Sequence, residues 1–458
     1  MTTQGKLLSY RISSTAENER THRLTAALPQ SRVRIAFRSL RHRNFQLFFS
    51  GQLISLVGTW MQNVAQSWLV YRLTGSSLLL GAVGFASQIP IFILSPIAGA
   101  IVDRHNRHRT VVATQSVSML LAFALAGLTL WNAITVWEIF VLAALLGLVN
   151  AFDIPARQAF IVEMVGKEDL MNAIALNSSM FNGARAVGPA VAGILVAAIG
   201  EGWCFFANAV SYIAVIAGLL MMKVAPRVPR ATDKSALHDI HEGFRWVVNT
   251  KPIFALLLLV GLVSLVGMPY AILMPIFADQ ILHSGAQGLG ILMGFSGIGA
   301  LIGALTLAAK SDLRGLGKWV AASSALFGVF LALFAYSKSF WLSAGLLIPV
   351  GFFMMVQMAS TNTLIQAMVP DHLRGRVMSV YSMMMMGMAP VGALLAGGVS
   401  DSIGAPLTIA IGGLFSLLGS AWFSMKLPGI RSEARRLIIA QAYAGGDPAQ
   451  EITMVREN

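Results

Sequence analysis

Two arginines and an aspartate stand where an apolar chain can least accommodate charge. Arg185 lies midway along a run of about 169–200, and Asp153 and Arg157 lie in the run before it, about 135–162. A guanidinium at the centre of a bilayer costs at least ~2.5 kcal/mol unless it is paired or wetted. Two readings follow. Counted from the turn near residue 166, Arg185 and Asp153 sit at similar depth at ~1.5 Å rise per residue, so they could form a fixed structural pair. Alternatively, Arg185 is a cavity cation that meets anionic substrate or answers a proton change on Asp153.

Other polar or polarisable groups recur at helical spacing. In the first apolar run Gln52, Ser55, Thr59, Asn63 and Gln66 follow one another at intervals of three and four, which is one stripe on a helix. Within a bilayer such a stripe must face protein or water, so it reads as cavity lining or as helix–helix hydrogen bonding. Asn182 lies three residues before Arg185. Tyr381 precedes Met383-Met384-Met385-Met386-Gly387-Met388, flexible side chains that suit varied apolar ligands or plain packing. Met268-Pro269-Tyr270 and Met274-Pro275 predict a kinked helix. Enzyme chemistry finds no support: there is no phosphate-loop signature, no His-Glu-x-x-His pair and no Ser/His/Asp set. No cofactor and no metal site is expected, and Cys204, the single cysteine, cannot form an internal disulfide.

The elements that position these groups are legible from hydropathy. Of 458 residues 56% are hydrophobic and 12% charged, against about 25% charged in soluble domains. The chain therefore reads as an all-α polytopic membrane protein. Apolar runs fall at about 44–72, 76–102, 109–132, 135–162, 169–200 and 202–223, then at about 252–282, 286–310, 317–337, 340–369, 374–403 and 405–427. Each is long enough to span a bilayer. Twelve spans divide into bundles at 44–223 and 251–427. They are framed by a basic segment at 1–43, a polar linker at 224–250 and a polar tail at 428–458. Arg32 to Arg43 is expected to lie on an anionic leaflet.

The net charge of +13 suggests nucleic acid at first sight, but the cations sit in short loops and tails, as the positive-inside rule requires. With both termini cytoplasmic, only Arg72 and Lys338 lie near the outer ends. The halves also repeat: Gly147 through Val165 lines up with Gly351 through Val369, and Gly188-Pro189 echoes Ala389-Pro390, as in transporters with parallel halves.

The loop Gly99-Ala100-Ile101-Val102-Asp103-Arg104-His105-Asn106-Arg107-His108-Arg109 resembles the signature between helices 2 and 3 of the major facilitator superfamily, Gly-x-x-x-Asp-Arg-x-Gly-Arg-(Arg/Lys). It departs at Asn106, where glycine is expected and where Asn is the residue next most tolerant of positive φ, and at His108. Trp60 to Ser77, Asp153 to Phe160, Asp169 to Asn177, Asn182 to Ala190 and Leu373-Arg374-Gly375-Arg376 are similar to the bacterial branch that includes enterobactin-type siderophore exporters and macrolide-efflux proteins.

The resemblance implies a twelve-helix fold in a bacterial inner membrane. It also implies alternating access with export of a small amphipathic molecule, proton exchange and a monomer. Uptake, or a non-transporting sensor, remains the alternative. It implies a latch in which Asp103 caps the helix beginning at Leu373–Arg376 and Arg107 pairs with Asp153, or failing that Glu163. Asp153 could not then serve Arg107 and Arg185 together, and that competition could act as a switch.

Overall fold

The computed structural model describes residues 37–166, 168–224, 236–310 and 313–444. Among them regular structure is entirely helical, because a backbone crossing apolar surroundings must satisfy its own hydrogen bonds. The first six long helices are α1 (Arg43–Thr74), α2 (Ser77–Arg104), α3 (Arg107–Leu130), α4 (Val136–Val165), α5 (Leu170–Ile199) and α6 (Glu201–Leu220). A shorter helix, α7 (Ala236–Asn249), occupies the expected linker. Then come α8 (Lys251–Ile281), α9 (Gly285–Ala309), α10 (Leu316–Tyr336), α11 (Phe340–Met368), α12 (Asp371 to Ile403) and α13 (Ala405–Ala444).

Eleven of the described helices are long and apolar enough to cross a membrane. The twelfth expected span, α1, has 32 residues, ample length, but the stripe from Gln52 to Gln66 dilutes its apolarity. Gln52 and Ser55 are buried, Thr59 and Gln66 half-buried and Asn63 exposed. Thr59 donates to the Ser55 carbonyl at 2.9 Å, so its hydroxyl is satisfied within its own helix.

Short turns are set by local chemistry. Ser76 caps α2 by accepting from Leu79 N at 3.3 Å, and the Thr135/Glu138 capping box starts α4. Asn106 corrects the sequence expectation. Its φ is −71°, not positive, and its side chain accepts from Arg109 N at 3.0 Å. It replaces glycine as an N-cap rather than as a left-handed turn residue.

α1–α6 pack chiefly among themselves, as do α8–α13, and the two sets meet where α2 lies on α12 and α5 on α9. The repeat falls on equivalent close approaches. A Cβ at Gly147 of α4 would strike the Ser87 carbonyl of α2, and one at Gly351 of α11 would strike the Ser296 carbonyl of α9.

α8 carries π-helical turns at Val263–Gly267 and Phe277–Ile281, on either side of the predicted proline kink, and α12 carries one at Met383–Gly387. The polar tail does not start a new element at 428. α13 runs through Pro428 to Ala444, and Ile430, Ala434, Leu437 and Ile438 pack against the core, an apolar stripe at helical spacing.

Residues 1–36 lie outside the description. The end of the basic segment docks on protein. Arg38 and His42 pair with Asp169, and the Ser39 backbone N–H donates to Asn172 at 2.9 Å.

Candidate functional site

The end of the molecule bearing Arg104, Arg107 and Arg109 is termed here the basic face, and the opposite end the far face. Asp153 is 1% exposed inside the first six helices. Its Oδ1 accepts from Thr114 Oγ1 at 2.7 Å and Gln115 Nε2 at 2.9 Å, both from α3. Its Oδ2 lies 2.6 Å from Arg157 Nε, one turn along α4, a charge contact whose N–H is not aligned as a hydrogen bond. Tyr212 of α6 lies within reach of Thr59, Ser118 and this pair. Both carboxylate oxygens therefore have partners, which makes a buried charge tolerable.

This arrangement overturns the expected Asp153–Arg185 pair. Similar depth did not bring them together, because a partner four residues away on the same helix face was available. Nor does Asp153 serve Arg107. Arg107 Nη1 contacts Glu163 Oε1 at 3.2 Å and donates to the Ala159 carbonyl at 3.1 Å. The competition of Arg107 and Arg185 for one carboxylate has no counterpart here.

Arg185 stands midway along α5. Its guanidinium lies over the Trp60 ring of α1, 5.7 Å from the centroid. Phe181, one turn back on α5, packs edge-on against the same ring at 5.6 Å. Among the described residues Arg185 makes no ion pair, and it remains half-buried. A cation–π contact returns about 0.5–2 kcal/mol, less than the ~2.5 kcal/mol or more that the position costs. Water or a bound anion would offset the remainder. Nearby on α8, Tyr270 is buried, shares a 2.8 Å hydrogen bond with Ser296 of α9, and is within electrostatic reach of Arg185.

The seam between the halves locates this cluster. At the far face Asp401 accepts from Ser77 N at 2.9 Å and Ser76 Oγ at 3.2 Å, Ser400 donates to Ser77 at 3.0 Å, and Tyr71 donates to Asp279 at 2.9 Å. Deeper in, Gly193 and Gly290 bring α5 and α9 into backbone contact, and Gly297 meets the backbone of Arg185 and Ala186. Phe92 fills the space over Gly387. Nearer the basic face these close approaches across the seam are not repeated at the described glycines. Met171, Ile174, Ser178 and Ser179 of α5 are exposed, and among the described residues nothing stands within 4 Å of a Cβ built at Gly99, Gly183 or Gly375. The seam is closed from the far face to mid-depth, and Arg185 sits where closure ends.

A family model described as transmembrane secretion effector matches residues 35–443. The chain belongs to this family, a branch of the major facilitator superfamily. Its members are transporters, not enzymes. The staphyloferrin A transporter of Staphylococcus aureus is 29% identical, covering 81% of this chain and 93% of its own length. The multidrug efflux pump Tap of Mycolicibacterium fortuitum is 30% identical over 78% and 89%. The enterobactin exporter EntS of Escherichia coli is 25% identical over 82% and 90%. Among solved structures, a bacterial homologue of the iron transporter ferroportin in an inward-facing state superposes with TM-score 0.66 at 18% identity, covering 84% of this chain and 98% of that one. That likeness concerns the fold.

The remaining expected residues of this secretion effector are dispersed. Arg104 and Arg109 are exposed at the basic face, while the side chain of Asp103 lies outside the description. On α12, Arg374 is exposed, and Arg376 pairs at 2.6 Å with Glu242 of α7. The Gly243 position of α7 lies against the Arg376 backbone. A contact between linker and span is beyond sequence spacing. Tyr381 is buried, its hydroxyl donating to the Met358 carbonyl at 3.2 Å. Met384 packs on Gly261 of α8. Asn182 donates to the Ser178 carbonyl at 2.9 Å.

Trp60 and Phe181 escaped the sequence reading as site residues. The Phe181/Arg185 spacing of four was their one visible sign. A surface hollow lined by His42, Arg43, Asn44, Met164, Met221 and Lys223 opens at the basic face and includes none of the central residues.

Proposed function

We propose that this chain exports small amphipathic molecules across a bacterial inner membrane by alternating access, with protons moving the other way. The bundles 44–223 and 251–427 rock about the seam, with the 224–250 linker and both termini cytoplasmic. Siderophores and drugs, named for its relatives, set the expected range of substrates. One observation carries the reading: the seam is sealed at the far face and ends at mid-depth on Arg185. That is the arrangement of a transporter whose site faces the basic side, and the distribution of Lys and Arg makes that side cytoplasmic.

Asp153 and Arg157 supply the coupling group. With Asp153 ionised, the pair is neutral and held between α3 and α4. A proton on Asp153 would cancel its attraction for Arg157 and weaken the hydrogen bonds from Thr114 and Gln115 to its Oδ1. The α3–α4 packing of one half would then change. Arg107–Glu163 and Arg376–Glu242 are charge contacts near the basic face that such movement would carry along.

Everted membrane vesicles test the direction. Energised everted vesicles should accumulate a fluorescent amphiphile against its gradient, and right-side-out vesicles should not. Accumulation only in right-side-out vesicles would establish uptake instead, and equilibration without accumulation would establish a facilitator.

A further inference from the structure

The geometry points to an organic anion with an aromatic or apolar body as the substrate class of the central site, its charge held by Arg185 against Trp60. This inference rests on the transport reading above and narrows it.

Arg185 has the properties of an anion receptor and lacks those of a structural cation. It makes no ion pair among the described residues, while Asp153, the carboxylate at similar depth, is occupied by Arg157, Thr114 and Gln115. It is half-buried at the level where the seam opens. A guanidinium presents donors in a planar fork that matches a carboxylate or sulfonate. The Trp60 ring lies 5.7 Å from the guanidinium carbon on one side, and Phe181 packs edge-on against Trp60.

The opposite half supplies the apolar complement. Under the repeat that pairs Gly188-Pro189 with Ala389-Pro390, Arg185 corresponds to Met386. Met386 is 38% exposed and lies in the π-helical turn Met383–Gly387 of α12. Such turns recur at functional positions in helices, and methionine adapts to ligands of varied shape. One half thus carries a cation, and the repeat-equivalent position in the other half is apolar and pliable. A cationic drug would meet Arg185 with repulsion and, among the described residues, find no unpaired carboxylate at that depth, since the charge of Asp153 is already neutralised by Arg157. An anionic amphiphile suits both positions.

The test is equilibrium binding to purified, full-length protein in nanodiscs. The probes are 8-anilinonaphthalene-1-sulfonate and the cation rhodamine 6G, with Arg185→Gln, Arg185→Lys and Met386→Ala compared against wild type. Thermal unfolding of each variant verifies folding. Wild type should bind the anion at least tenfold more tightly than the cation. Arg185→Gln should lose at least tenfold in anion affinity, Arg185→Lys should retain part of it, and Met386→Ala should weaken both probes by a few-fold. Anion affinity that is unchanged in folded Arg185→Gln, or cation binding that equals or exceeds anion binding in wild type, would overturn the assignment. If Arg185→Gln fails to fold, Arg185→Lys alone decides, and unaltered anion affinity in that variant would count against the assignment. Uphill transport of rhodamine 6G in everted vesicles, equal in wild type and Arg185→Lys, would refute the anion class while leaving the exporter reading standing.

Discussion

The two halves share a scaffold and differ in charge at its centre. Gly147 of α4 and Gly351 of α11 occupy matching positions, each allowing a neighbouring helix to approach at its backbone. Six residues further on, the repeat places Asp153 opposite Gln357, and Arg157 opposite Thr361. Asp153 has a partner for each oxygen. Gln357 is fully buried, yet neither its amide nitrogen nor its oxygen has a partner among the described residues, and the nearby Ser360 hydroxyl is in the same state. Both halves therefore keep buried polar atoms without hydrogen-bond partners among the described residues, Gln115 Oε1 and Arg157 Nε in one and Gln357 and Ser360 in the other, but only the first half's centre is ionic. Packing constrains both halves alike, because helix approach depends on glycine wherever the charge is. The proposed proton coupling would need an ionisable core, and at this repeat position the first half alone carries an ionisable pair.

Removing the charge from the first half should have the largest effect. Asp153→Ala leaves the partly buried Arg157, its side chain 24% exposed, without its counter-charge. Breaking a buried pair costs about 3–5 kcal/mol, and this partial exposure puts the loss at the lower end, about 3 kcal/mol. Thermal unfolding in detergent should fall by many degrees, while Asp153→Leu/Arg157→Leu should recover most of the loss. A double variant as unstable as the single one would show that the network does more than neutralise its own charges.

Next come the matched glycines. Gly147→Ala and Gly351→Ala should each destabilise by about 1–3 kcal/mol through overpacking, since each Cβ meets a backbone carbonyl that cannot rotate away. A loss at one site alone, by the same unfolding measurement, would break the symmetry of the scaffold.

Gln357→Leu should be close to neutral, or stabilising by about 1 kcal/mol, because it removes buried polar atoms that lack partners. A loss of 2 kcal/mol or more would mean that ordered water satisfies this amide.

The smallest effect is local and concerns pH. Hydrogen bonds first from His42 and then from Arg38, aided by their charges, hold the Asp169 carboxyl below its usual value. Its folded pKa lies beneath its unfolded one, so its contribution to docking residues 38–42 is complete above about pH 4. The contribution fades as pH falls through the lowered folded value. A spin label at Leu40→Cys should gain mobility only in that acid range, and Asp169→Asn should mobilise it at every pH.

Much of this was legible in the sequence, because hydropathy and repeat spacing are one-dimensional signals. The apolar runs, the glycines at 147 and 351 and the anomalous Arg185 all stand out without coordinates. What failed depended on rotation about helix axes. Depth along the membrane put Asp153 level with Arg185, but the facing of side chains gave it to Arg157, a choice the i,i+4 spacing would have indicated. Asn106 could have been read as an N-cap rather than as a glycine substitute, since Asn caps helices as readily as it turns them. The Trp60–Arg185 stack and the Glu242–Arg376 contact join residues more than a hundred positions apart, and no local pattern announces them. Diluted apolarity made α1 the weakest span because its polar side chains face partly into the protein.

The central claim, that the ionic centre of the first half couples protons to transport, is tested most directly by a pH jump in proteoliposomes. An amphiphile that wild type binds is followed across the membrane for wild type and Asp153→Asn. The expected result is uphill movement driven by the proton gradient in wild type, with only downhill movement in the folded variant. Gradient-driven uphill movement that persists in Asp153→Asn would contradict the claim and place coupling elsewhere in the molecule.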